Sequence, residues 1–244
     1  MRRFTCLAEN RAAEHCHCPP LTGNNRYSAR MTNKAFWEDP YASTHSTVVT
    51  AVDGDTVELA STIFFAFSGG QESDHGSIGG VAVVEASKEG RRLRYRLAAG
   101  HGLQPGQPVE VAIDWARLYR LMRLHFAAEL VLELAGRALP GALKVGAHIA
   151  ADKARIDFRW PESVALLLPE LAASANRIIA ADLPIRTAFE DVENERRYWE
   201  IAGFSRVACG GTHVRSTGEV GPLRLKRNNI GKGKERIEIF LGGD

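Results

Sequence analysis

From residue 46 to 114 the apolar residues come in short runs rather than long stripes. Thr47-Val48-Val49-Thr50, Thr56-Val57-Glu58-Leu59 and Thr62-Ile63-Phe64-Phe65-Ala66-Phe67 are rich in β-branched and aromatic side chains, which suit a pleated, half-buried surface. Asp53-Gly54-Asp55 joins the first two through a Gly-containing connection of hairpin length, so these runs read as paired strands. Further runs at 80–85, 93–97 and 108–113 are separated by Lys88-Glu89-Gly90 and by the glycine-rich stretch 100–106. Evenly spaced short strands predict a small barrel, in which closure removes the exposed edges.

The period changes after Asp114. Residues 117–135 contain no Gly or Pro and are rich in Leu, Arg, Ala and Glu, and Asp114 has the side chain to cap a first helical turn, so a helix begins here. Gly136 and then Pro140-Gly141 predict its end. Over 153–160, Ile156, Phe158 and Trp160 alternate with Arg155, Asp157 and Arg159, the pattern of a half-buried strand. Pro161-Glu162 opens a second expected helix through about Ala181, with Val164, Leu167, Leu168 and Leu171 on one stripe, and a third is expected over 188–199. Strands are predicted at 221–226 and 236–241, joined by a polar turn over 228–234. The fold class that follows is α+β: a small N-terminal β-barrel over 34–115, then a two-layer α+β domain over 116–244.

Residues 1–33 mix Arg, Asn, Cys and Pro without periodicity and lack the apolar core of a secretory signal, so they are set aside as a disordered leader. Met31 at its end is a second possible start. His15, Cys16, His17 and Cys18 are metal-ligand types, but in a segment without periodicity they are read as structurally idle. With 244 residues, 45% of them hydrophobic, the chain can bury a core. No apolar run approaches the roughly 20 uncharged residues of a membrane helix, and three of the four cysteines crowd into the leader rather than forming a disulfide framework. A soluble, cytoplasmic protein is expected. A net charge of +2 leaves any nucleic-acid surface local.

Leu118, Leu121, Met122, His125, Glu129 and Leu132 fall at spacings of three and four, so two polar residues interrupt an apolar helix face. Burying polar groups without partners costs on the order of 2 to 7 kcal/mol. Side chains at i and i+4 have Cβ atoms roughly 5 to 6 Å apart, so His125 and Glu129 either bond to each other or share an ion. Cys209-Gly210-Gly211-Thr212-His213 places a thiol and an imidazole at the same spacing around a Gly-rich turn. His125, Glu129, Cys209 and His213 together supply four ligand types that Zn²⁺ accepts, one ion per chain; the alternative is a lone buried cysteine and a loop histidine. Thr212 and the N–H groups of Gly210 and Gly211 either line a pocket or belong to a turn whose glycines let the chain bend.

Arg120-Leu121-Met122-Arg123-Leu124-His125 resembles the entrance to the H-x-x-x-H helix of alanyl-tRNA editing domains, and Cys209 to His213 their C-x-x-x-H loop. Phe67-Ser68-Gly69-Gly70-Gln71 with Asp74 and Gly76 is similar to the GGQ loop of the AlaX forms that carry an N-terminal barrel. Arg155-Ile156-Asp157-Phe158, Gly218-Glu219-Val220-Gly221-Pro222 and Gly231-Lys232-Gly233-Lys234 before Arg236-Ile237 extend the likeness over about residues 34–244. The resemblance, shared with the second additional domain of threonyl and alanyl-tRNA synthetases, implies trans-editing: zinc-assisted hydrolysis of the ester joining serine or glycine to the 3′ end of alanine tRNA. It implies His125, Cys209 and His213 as ligands and Glu129 as a fourth ligand or an uncoordinated base. Gln71 and Thr212 become catalytic candidates, and Gly69, Gly70, Gly210, Gly211, Lys232 and Lys234 substrate contacts.

Two positions depart from the family pattern: Glu129 stands where a second helix histidine is usual, and Phe126 where a small hydroxyl residue is usual. A carboxylate still binds zinc but weakens it as a Lewis acid. Two other readings therefore stand beside the editor: a catalytically degenerate tRNA-binding module, and an unrelated zinc hydrolase of small esters or amides. Arg224, Lys226, Arg227, Lys232, Lys234 and Arg236 against Glu235 and Glu238 form either a phosphate-binding stretch or a solvated face. No synthetase ATP-binding module and no P-loop is present, so aminoacylation is not expected.

Overall fold

The computed structural model describes residues 31–231 and 233–242. A short β1 (Asn33–Lys34) leads through a 3-10 turn, Ala35–Trp37, into β2 (Thr44–Asp53), β3 (Thr56–Leu59), β4 (Ser61–Thr62), β5 (Gly76–Ile78), β6 (Val81–Glu89), β7 (Arg92–Leu97) and β8 (Pro108–Ile113). Strands β2, β3, β7, β6, β5 and β8 close on one another in that order as a barrel. Alternation buries Val49, Val57, Leu59, Ile78, Leu93, Tyr95, Leu97, Val109 and Val111. Asp53 pairs with Thr56 across the predicted hairpin, and Gly54 there takes φ 58°, which glycine adopts without a Cβ penalty.

Three expectations in this half are corrected. The run 62–67 is not a strand: β4 stops at Thr62, and the buried residues that follow satisfy their backbone elsewhere. Phe65 N–H donates to Asp74 Oδ2 at 2.8 Å, Asp74 N–H to Phe65 O at 3.0 Å, and Tyr95 O–H to Phe64 O at 2.9 Å, so no ladder is needed. Lys88 and Glu89 continue β6 instead of turning. Thr32 and Asn33, placed in the leader by the sequence reading, join the fold: Thr32 O–H donates to Leu59 O and Asn33 N–H to Ala60 O, each at 2.9 Å. Cys6, His15, Cys16, His17 and Cys18 lie outside the described residues.

The second half runs α1 (Trp115–Ala138), β9 (Leu143–Ile149), β10 (Ala154–Arg159), α2 (Leu168–Ala180), β11 (Arg186–Asp191), β12 (Arg196–Ile201), β13 (Ser205–Ala208), a 3-10 turn at Thr217–Val220, β14 (Leu223–Asn229) and β15 (Lys234–Leu241). Asp114 caps α1 as predicted, accepting from Arg117 N–H at 3.1 Å. Gly136 does not end the helix, because one glycine costs only about 1 kcal/mol and the turn beyond it seats buried Leu139 against Ala135. An antiparallel sheet in the order β14-β15-β10-β9 packs with both helices, α1 against β9, β10 and β15 and α2 against β14.

Four further differences follow. The second helix starts at Leu168, since residues 161–167 are taken up in turns. Residues 188–199 are not helical; they lie in an antiparallel pair, β11 with β12, that β13 extends to a three-stranded sheet. Strands β9 and β13 had no sequence expectation behind them. The last turn is shorter than predicted, because Asn228 and Asn229 pair with Arg236 and Glu235. Among the described residues no helix is long and apolar enough to cross a membrane.

Candidate metal centre and its cavity

The interrupted helix face is buried as its spacing demands: Leu118, Leu121 and Met122 are inside, and His125 is 6% exposed among them. Strand β13 delivers the second cluster, with Cys209 N–H donating to Arg197 O at 2.9 Å just past its end. Ligand atoms of His125, Cys209 and His213 all lie within 4.8 Å of one another, and Cys209 Sγ is 3.4 Å from His125 Nε2. Both ring nitrogens of His213 are buried without a hydrogen-bond partner. Each such group costs about 1 to 3 kcal/mol when left unmade, and a cation accepting a lone pair relieves it. One thiolate and two imidazoles are donors that a borderline-soft divalent ion takes, so the residues present fit a metal.

Gly211 makes the cluster possible. A Cβ on it would stand 2.0 Å from His125 Cε1, whereas a Cβ on Gly210 would meet nothing within 4 Å. Close approach to the imidazole, not an unusual φ, is what this position requires. Gly210 contributes its carbonyl, which accepts from Trp37 Nε1–H at 2.9 Å. Thr212 is buried with its hydroxyl unpartnered and is absent from the cavity wall.

Glu129, one turn beyond His125, stands outside the three-residue group. Its Oε1 is 3.4 Å from His125 Nε2 and 3.6 Å from Cys209 Sγ, while Oε2 accepts from Trp199 Nε1–H at 3.2 Å. Phe126 meets the Trp199 indole edge-to-face at 5.2 Å and the His213 ring at 5.8 Å, so its bulk packs between those two rings. Burial alone would lower His125, but Cys209 and then Glu129 raise it to about 10. Burial alone would raise Cys209, yet His125 and His213 bring the thiol down to about 6. Glu129, opposed by burial, is lowered to about 2 chiefly by His125. A proton and a metal ion on His125 thus compete for the same two anions.

The GGQ loop reaches the centre from behind. Gln71, 1% exposed, accepts from His125 Nδ1–H through Oε1 at 2.6 Å. An amide oxygen only accepts, so this contact assigns the proton to Nδ1 and leaves Nε2 facing Cys209. The loop is pinned to β9, where Glu72 N–H donates to Ile149 O at 3.0 Å and a Cβ on Gly70 would stand 2.5 Å from Ala147 O. Gln71 and Gly70 are absent from the cavity wall, whereas Gly69 is part of it.

Asp74 closes the same loop at 3% exposure, one oxygen held by Phe65 N–H and the other unpartnered. Burial pushes its carboxyl up to about 7, against the opposing Phe65 bond and Arg117 charge. The folded value exceeds the unfolded one near 3.8, so between those pH values the native state holds a proton that the unfolded chain has lost. Asp74 therefore costs stability as pH rises through that window, by up to about 1.4 kcal/mol per pH unit. Asp74→Asn keeps an oxygen for Phe65 N–H and is expected to flatten this slope. Urea melts at pH 5 and pH 8 test it, and an unchanged difference between the two would acquit Asp74.

His125, Glu129, Cys209, Gly210 and Gly211 form part of the wall of a cavity of about 420 Å³, completed by Trp37, Phe65, Ser68 and Gly69. Lys34, Lys88, Arg91 and Lys144 also line it, four cations that no sequence motif brought together. The C-terminal basic stretch is less free than its composition suggests. Arg227 pairs with Glu235 through two contacts of 2.5 and 2.6 Å, and Arg236 with Asp157 at 2.7 and 3.0 Å. Arg224, Lys226 and Lys234 remain exposed, away from the cavity wall, and Lys232 lies outside the described residues.

Comparison with known proteins converges on one group. The family model of the threonyl and alanyl tRNA synthetase second additional domain matches residues 197–238. The chain is 31% identical over 215 residues to the alanyl-tRNA editing protein AlaX-M of Pyrococcus horikoshii, covering 86% of this chain and 98% of that protein. It is also 31% identical over 233 residues to AlaX-M of Saccharolobus solfataricus, covering 85% and 98%. Against the alanine–tRNA ligase of Methanopyrus kandleri it is 35% identical over 216 residues, 78% of this chain but 24% of the ligase.

Proposed function

This chain belongs to the alanyl-tRNA editing protein family, and on that premise we propose that it hydrolyses the ester linking serine or glycine to alanine tRNA, with a zinc ion held by His125, Cys209 and His213. The observation that carries the reading is the convergence of those three ligand atoms within 4.8 Å beside a cavity of about 420 Å³. When bound, the ion supplies Lewis acidity for an ester carbonyl or a water.

The chain's own residues do the rest. Gln71 holds the His125 tautomer, and Thr212, whose buried hydroxyl has no partner, is the catalytic hydroxyl beside His213. Gly69, Gly210 and Gly211 present backbone to the bound aminoacyl group. Lys88, Arg91 and Lys144 attract the terminal phosphates of the tRNA, and Arg224, Lys226 and Lys234 meet its backbone further away. We keep the division near residue 115 between a barrel module and an editing module. In this scheme Glu129 serves from beside the ligands. A catalytically degenerate tRNA-binding module, the reading suggested by Glu129 and Phe126, retains zinc and tRNA without ester loss.

Deacylation of Ser-, Gly- and Ala-charged alanine tRNA, with bound zinc measured in parallel, tests the proposal. Selective loss of the Ser or Gly ester is expected, falling by roughly 100-fold or more in Cys209→Ala. Folded, zinc-loaded wild type that cleaves none of the three would replace the editor with the degenerate module.

A further inference from the structure

The cavity wall carries two carboxylates of unequal standing. Glu195 is ion-paired with Lys34, whereas Glu129 has no lysine or arginine partner among the described residues. Its neighbours are the Trp199 indole, the Cys209 thiol and His125. Once His125 gives its Nε2 to a metal ion that ring is neutral, and the Glu129 charge is left to the ion and the cavity. The indole holds Oε2 at 3.2 Å, and His125, Cys209 and His213 bring their ligand atoms together without Glu129.

The other charges on the wall have the opposite sign. Lys88, Arg91 and Lys144 suit phosphate and repel a cation. An aminoacyl nucleotide has the matching polarity, with anionic phosphates on one side of its ribose and a primary ammonium next to the reacting carbonyl on the other. A neutral histidine in place of Glu129 offers that ammonium no countercharge.

We infer that Glu129 is the receptor for the α-ammonium group of the aminoacyl ester, so that the chain selects esters bearing that cation over isosteric ones that lack it. The inference rests on the aminoacyl-ester reading above. It makes Glu129 a specificity-determining residue rather than a fourth ligand.

The test compares two hydrolysis-resistant amides of 3′-amino-3′-deoxyadenosine, one carrying glycine and the other glycolic acid, in which a hydroxyl replaces the ammonium. Calorimetric binding is measured on zinc-loaded wild type and on Glu129→Gln, which keeps an oxygen for the Trp199 indole, with zinc content determined for both. Wild type is expected to prefer the glycyl amide by on the order of 10- to 100-fold, the worth of one charge-assisted hydrogen bond. Glu129→Gln is expected to bind both amides alike, with unchanged affinity for the glycolyl form and a full complement of zinc. A variant that keeps the preference overturns the inference, as does one that loses its zinc or a wild type that does not bind the glycyl amide. Deacylation of Gly-charged tRNA by the same wild-type sample separates the failures. Ester loss without ammonium preference removes only the role of Glu129, whereas no ester loss removes the hydrolase reading and the inference with it.

Discussion

Gly211→Ala is expected to leave the chain folded but to strip it of metal and of ester hydrolysis, by roughly 100-fold or more in rate. The added Cβ would stand 2.0 Å from His125 Cε1, 2.7 Å from Nδ1 and 3.2 Å from Nε2, so something must move by more than an ångström. The imidazole cannot yield freely, since Gln71 holds Nδ1 at 2.6 Å and the flanking Leu124 and Phe126 are fully buried. The turn therefore moves, carrying Cys209 and His213 away from His125, whereas zinc sites tolerate only about 0.2 Å at each ligand. Overpacking of this kind costs about 1 to 3 kcal/mol, small enough for the fold to survive. Gly210→Ala is the matched control for zinc content and melting, because its Cβ meets nothing within 4 Å. Zinc content after desalting, thermal melting and deacylation rate, measured on both variants, decide the matter. Normal zinc and normal rate in Gly211→Ala would mean that the His125–Gly211 contact does not set the centre.

The parts of this centre that a sequence displays are those set by local spacing. The stripe Leu118, Leu121, Met122, His125 follows from the 3.6-residue period, and Cys209 to His213 is contiguous, so both halves of the ligand set were legible. Their mutual distance was not, and neither was the hold on Glu129 Oε2, which comes from an indole 70 residues away in sequence. Gln71 was legible as a motif, but its bond to His125 was not, since only the pinning of its loop to β9 turns its amide toward that ring. Residues 188–199 carry Glu and Arg in numbers that suit a helix, yet Trp199 and Ile201 are buried from β12, and tertiary packing overrides so weak a propensity. The run 62–67 misled for the opposite reason. It is apolar enough for a strand, but Asp74, nine residues on, and Tyr95, about thirty, satisfy the backbone that a ladder would otherwise have claimed.

Chelator-stripped protein is expected to expose Cys209 as a thiolate with a titration midpoint near 6, where an ordinary thiol lies near 9. The sign follows from its neighbours. Burial by itself would raise the thiol, but the His125 and His213 imidazoles lower it by more, and His125, held up to about 10, stays cationic throughout that range. At pH 7 about nine-tenths of Cys209 is then ionised, against about one-hundredth for an ordinary thiol. Zinc uptake at that pH has one principal proton to displace, the one on His125, and the affinity is expected to rise about tenfold per pH unit until His125 itself deprotonates. Iodoacetamide labelling of the peptide containing Cys209, followed by mass spectrometry from pH 5 to 10, reads the midpoint separately from the leader cysteines. The midpoint is the informative quantity, because a less basic thiolate is also a weaker nucleophile and the plateau rate falls with it. His125→Asn removes the histidine that lowers the thiol most and is expected to return the midpoint toward 9, and added zinc should suppress labelling of the wild type. A wild-type midpoint near 9 that neither His125→Asn nor zinc alters would dissolve the thiolate–imidazolium pair, and with it the physical case for a metal between these side chains.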